Sequence, residues 1–88
     1  MNGREYLSLV HELNCVVCAN VYGKNRPASE AHHIESVRGD HSDFAVVPLC
    51  RDCHIELHAA SRRTFNLRHK VDEIKLLAWT MELVVNHA

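Results

Sequence analysis

The 88-residue chain is 47% hydrophobic and 24% charged, close to globular averages, which excludes a disordered segment or a coiled rod and fits one small domain over residues 1–88. Ten Lys and Arg against eleven Asp and Glu leave a formal charge of -1, so whole-chain charge points to no nucleic-acid partner. No apolar run approaches the ~18 residues of a membrane span and the start MNGREYLSLVHEL lacks the layout of a secretion signal, so a soluble, cytoplasmic protein is expected.

In chain order, Tyr6, Leu7, Val10 and Leu13 recur at helical spacing, which predicts a first helix over Arg4 to Leu13 with Asn2 or Gly3 as its cap. From Asn14 to Ser29, with Gly23, Asn25 and Pro27, a loop with little regular structure is expected around a Cys-x-x-Cys turn. AHHIESV (Ala31 to Val37) and FAVVPL (Phe44 to Leu49) read as the two strands of a hairpin, with Pro48 ending the pairing. CRDC then leads into HIELHAAS, a helix to about Ser61 with Asp52 as cap, on which His54 and His58 stand one turn apart on one face. A polar basic loop follows. Val71, Ile74, Leu77, Ala78, Met81 and Val85 predict a terminal helix over about 70–86. Leu76, Trp79, Leu83 and Val84 widen its apolar face, which suits packing across a small core or, alternatively, a homodimer contact.

A chain this short buries only roughly 60% of its unfolded surface, so a staple beyond the core is expected. Cys15-Val-Val-Cys18 and Cys50-Arg-Asp-Cys53 use every cysteine in two knuckles. Four thiolates at metal–sulfur distances of about 2.3 Å close a tetrahedral structural zinc site with no open position. Disulfides fit poorly with cysteines paired in tight turns, and a thioredoxin-like redox site lacks its βαβ surroundings. A zinc finger built from Cys50, Cys53, His54 and His58 would strand Cys15 and Cys18.

Eight histidines is several times the usual share, and five of them lie between His32 and His58. Adjacent His32 and His33 on a strand point to opposite faces, so they should do different work. His54, His58 and one strand histidine form a three-ligand set that leaves positions for water and substrate, and the other strand histidine can act as a general base. His11, His41, His69 and His87 read as surface or loop residues.

AHHI, a hairpin with Ser42-Asp43, and VPLCRDCHIELH together resemble the HNH, or ββα-metal, nucleases. The subgroup is the one with two zinc knuckles found in phage and prophage proteins, including the phage recombination-enhancement nucleases. The likeness runs from Cys15 to His58, about half the chain. It implies an α+β fold, with zinc knuckles and a ββα core over about 15–61 between flanking helices, and an enzyme that cuts DNA phosphodiester bonds with one divalent metal. Carried over, it makes His33 the general base and His32, His54 and His58 the ligands of that metal. The family's middle residue is usually Asn. Asp43 is the nearest chemical match, as a hairpin brace or extra ligand, although strict spacing falls on Ala45.

An all-imidazole set suits zinc, nickel or cobalt at the catalytic position, whereas participation by Asp43 favours magnesium or manganese. Arg62, Arg63, Arg68 and Lys70 meet no acid between Ala59 and Val71 and are the candidate phosphate contacts, Arg62 and Arg63 foremost for their closeness to His58. DNA is the expected partner, with specificity drawn from its shape, from dimerisation or from a recombination or phage protein. The rival reading is a non-catalytic, zinc-stabilised module that binds DNA or protein.

Overall fold

The computed structural model describes residues 1–35 and 42–87. Helix α1 (Gly3–His11) starts where Asn2 Oδ1 accepts from the Glu5 amide at 2.9 Å while Glu5 returns its carboxylate to the Asn2 amide at 3.0 Å. This reciprocal pairing satisfies two of the amides a helix start leaves open. The expected loop after it instead contains α2 (Val16–Tyr22), which begins at Cys15 and stops at Gly23, whose φ of 65° is the left-handed turn glycine adopts without penalty.

Strand β1 (Glu30–His33) pairs antiparallel with β2 (Val46–Leu49) in the register Glu30 to Leu49 and His33 to Val46. Both strands are shorter than their β-prone runs. Pro48 does not end the pairing; it lies opposite Ala31 and is fully buried. A two-stranded sheet leaves each strand an unpaired edge, where a missing N–H costs nothing. All four residues of β2 are buried because α1, α2, α3 (Arg51–Ala60) and the C-terminal helix Glu73–Val85 each contact this strand. His41, read as a turn residue, lies outside the described residues.

The cap of α3 is Cys50, and Asp52 sits in its first turn. The predicted basic loop is a second departure: α4 (Arg62–His69) is helical, anchored by Phe65 at 1% exposure and started by Ser61, whose Oγ accepts from the Thr64 amide. Ser61 has φ 106°, a strained value for a residue with a side chain, and it turns the chain sharply between α3 and α4. Helix α5 (Glu73–Val85) is capped by Asp72 and is shorter than expected at both ends. The described residues form a small α+β fold of five helices and a two-stranded sheet. Its core gathers Val16, Val17, Val47, Leu49, Leu57, Phe65, Val71 and Leu76 with the four cysteines, and Trp79 and Leu83 lean on it from α5. No helix among the described residues is long and apolar enough to cross a membrane.

Candidate metal centres

Each Cys-x-x-Cys pair straddles a helix start: Cys15 caps α2 and Cys18 lies in its first turn, and Cys50 and Cys53 stand likewise on α3. Two helix N-termini therefore aim amides at one cluster of sulfurs, a placement that favours thiolate. The loop before β1 is tied to it by the Cys15 amide on the Arg26 carbonyl at 2.7 Å and the Ala28 amide on the Leu13 carbonyl. All four cysteines are buried and unpaired by disulfide. Cys18 Sγ lies 3.8 Å from both Cys50 Sγ and Cys53 Sγ. A tetrahedron with metal–sulfur arms of about 2.3 Å has edges of about 3.8 Å, so the thiols fit a structural metal such as zinc without rearrangement.

Electrostatics inside the cluster point the same way. The Cys53 thiol donates to Cys15 and holds it down to about 5, against its own burial. Burial and the Cys15 charge push Cys18 up to about 11, and the bond to Cys15 together with burial pushes Cys53 up as well. Without a cation the cluster carries one negative charge comfortably and resists the next. A divalent ion removes that resistance.

The second cluster lies on the strand and the following turn of α3. His32, His54 and His58 each bring a ring nitrogen to within 4.8 Å of the others. His58 Nε2 and His54 Nε2 are 2.9 Å apart, and the His32 ring meets theirs edge-on at 5.3 and 5.7 Å. Burial, then the neighbouring His54 and His58, lowers His32 to about 4 and keeps it in the neutral form that binds metals. His54 Nδ1 donates to Glu30 Oε2 at 2.6 Å, which leaves Nε2 as the lone-pair nitrogen aimed into the cluster. The sequence reading missed Glu30. The signal was available, since Glu30 and His32 are two apart on β1 and share a face.

His33, on the alternate face, donates from Nε2 to Asp43 Oδ1 at 2.9 Å. The start of α1 abuts that carboxylate. A methyl group at Gly3 would lie 3.0 Å from Asp43 Cβ, so any side chain there would push the Asp43 side chain by a few tenths of an ångström. Both strand histidines line an open groove of about 380 Å³ with His58, Glu35, Ser61 and Arg62. Glu35, an acid among the histidines in the sequence, was given no site role there. Of the four basic residues singled out, Arg62 alone borders this groove, where its guanidinium also reaches Glu73 at 3.2 Å. Arg68 is held by Glu56 at 2.7 Å, Lys70 ends α4 in a left-handed turn, and Arg63 lies exposed in the first turn of α4. His69 is no surface residue: its side chain is 9% exposed, hydrogen-bonded to Tyr22 on one nitrogen and to Glu56 on the other.

No curated protein and no solved structure matches the chain. Residues 1–85 match the family described as Protein of unknown function (DUF968), and the chain belongs to that family.

Proposed function

We propose that this protein is a metal-dependent endonuclease of the HNH type that hydrolyses DNA phosphodiester bonds. The observation that carries the reading is the convergence of three imidazoles on one point beside an open groove, with a fourth, carboxylate-held imidazole on the same groove. A closed sulfur site offers a substrate nothing, whereas three nitrogen donors leave coordination positions for water and phosphate.

His32, His54 and His58 hold the divalent ion, and Glu30 fixes the tautomer and direction of His54. An ion held by these three imidazoles would supply Lewis acidity for phosphodiester hydrolysis. His33 accepts the proton of the attacking water, and Asp43 orients its ring and stabilises the imidazolium that results. Arg62, on the groove rim, meets a phosphate oxygen at the moment charge accumulates there. The four cysteines hold the zinc that fixes the start of α3, and with it the position of both helical histidines.

The test is incubation of the zinc-loaded protein with supercoiled plasmid and single-stranded circles across magnesium, manganese, nickel and zinc. Metal-dependent nicking is expected, reduced at least about 1,000-fold by His33→Ala with an unchanged circular dichroism spectrum. Binding of DNA without cleavage under every metal would instead favour the non-catalytic module and end this assignment.

A further inference from the structure

Helix α5 turns two faces to different surroundings. Leu76 and Thr80 are buried, while Ile74, Ala78, Met81 and Val85 are exposed, Ile74 at 82% and Val85 at 80%. Their spacing of four, three and four residues is the seam of a helix pair, and it lines up along one side of α5. Among the described residues nothing covers this seam.

One end of the seam is a groove and the other a projecting side chain. At the C-terminal end of α5, Met81, Val84 and Val85 form an apolar groove of about 420 Å³ with Tyr6 and Phe44, whose rings lie 5.2 Å apart. At the other end stands the most exposed apolar side chain of the seam, Ile74, eleven residues or about 16 Å from Val85. A two-fold axis through the middle of the seam sets two α5 helices antiparallel and seats each Ile74 in the other's groove.

The charges follow the same symmetry. Lys75 and Glu82 are both exposed, seven residues apart on one flank of the seam. The two-fold axis brings Lys75 of each copy beside Glu82 of the other, so each contact is made twice. Ile74, Met81, Val85 and Phe44 each expose on the order of 100 Å² and Ala78 less, so with both copies counted and the rim from Tyr6 and Val84 added the face approaches the roughly 1,000 Å² that a specific interface needs.

We infer that the exposed face of α5, with Tyr6 and Phe44, is the contact surface of an antiparallel homodimer. The inference goes beyond the proposed nuclease activity and stands independently of it.

Sedimentation of the zinc-loaded chain from about 5 to 200 μM tests it. A monomer–dimer equilibrium is expected within that range. Ile74→Asp should weaken it at least about 100-fold, and Lys75→Glu about tenfold, while Lys75→Glu combined with Glu82→Lys should restore it. These side chains are exposed, so the circular dichroism spectra should coincide. A wild-type chain that stays monomeric assigns the face to another partner and overturns the inference. A dimer indifferent to Ile74→Asp, or one that the charge swap fails to restore, overturns it equally.

Discussion

Helix α3 serves two clusters of opposite character within three turns. Its cap and first turn supply Cys50 and Cys53 to a buried sulfur cluster at the end of the core. The next positions supply His54 and His58 to a cluster that opens on a groove. The contrast is between a closed donor set and an open one. Four buried sulfurs near tetrahedral edge lengths would close the shell of a metal such as zinc, so an ion bound there would contribute folding free energy. His32, His54 and His58 border solvent and Arg62, so an ion held there would remain accessible to water and substrate.

The sharpest way to break this comparison is to remove one ligand from each side. Structural zinc contributes on the order of 10 kcal/mol, comparable with the entire stability of a small domain. Cys53→Ser should therefore abolish the cooperative thermal transition and the helical circular dichroism signal. His58→Asn should keep both, shift stability by less than about 1 kcal/mol, and lose the second metal equivalent by elemental analysis. Folding retained without Cys53, or lost without His58, would reverse the assignment of roles.

The pairs Cys15/Cys18, Cys50/Cys53 and His54/His58 were legible in the sequence because their spacing is local, whereas His32 rather than His33 as the third imidazole came from the family resemblance. Two residues between cysteines, or three between helical histidines, determine which atoms share a face whatever the rest of the chain does. The elements that frame them were less legible. VVCANVY is seven residues beside Gly23, Asn25 and Pro27, and it becomes α2 because Cys15 starts it and Gly23 closes it. RRTFNLRH carries almost no apolar periodicity. It becomes α4 through one buried ring, Phe65, and through the Arg68 and His69 contacts with Glu56, twelve and thirteen residues earlier. His69 was misread for that reason, since its partners Tyr22 and Glu56 are brought to it by the fold. The contact between Asp43 and His33 joins residues ten apart in the chain, with Gly3 closing in from α1.

Glu30 sharpens the comparison at an intermediate scale. It touches the imidazole cluster through His54 and plays no part in the sulfur cluster. Glu30→Gln keeps the size of the side chain but removes the charge that holds the Nδ1 proton. Its expected effect is a 10–100-fold weaker affinity for the second metal, read by calorimetric titration with manganese or nickel. Zinc content and melting temperature should not change. Equal affinities in the two proteins would leave Glu30 as a surface acid with no bearing on the site.

The smallest effect concerns acid. His32 is held at about 4 in the fold, chiefly by burial, against 6.5 in the unfolded chain, so between those values the unfolded state takes up a proton that the folded state refuses. Stability therefore falls as pH drops through 6.5 toward 4 and is insensitive to this group above that window. From pH 7.5 to 5.5 the contribution is about 1 kcal/mol for a protein with zinc on sulfur and no metal on the histidines. Urea unfolding of wild type and His32→Asn at both pH values isolates it, because the variant has no such proton to gain. The wild type should lose about 1 kcal/mol more than the variant on acidification, and saturating manganese or nickel should stabilise it more at pH 7.5 than at pH 5.5, because the ion and the proton compete for the imidazoles. An equal loss in both proteins would place the acid sensitivity elsewhere, and the thiols of the sulfur cluster would be the next groups to test.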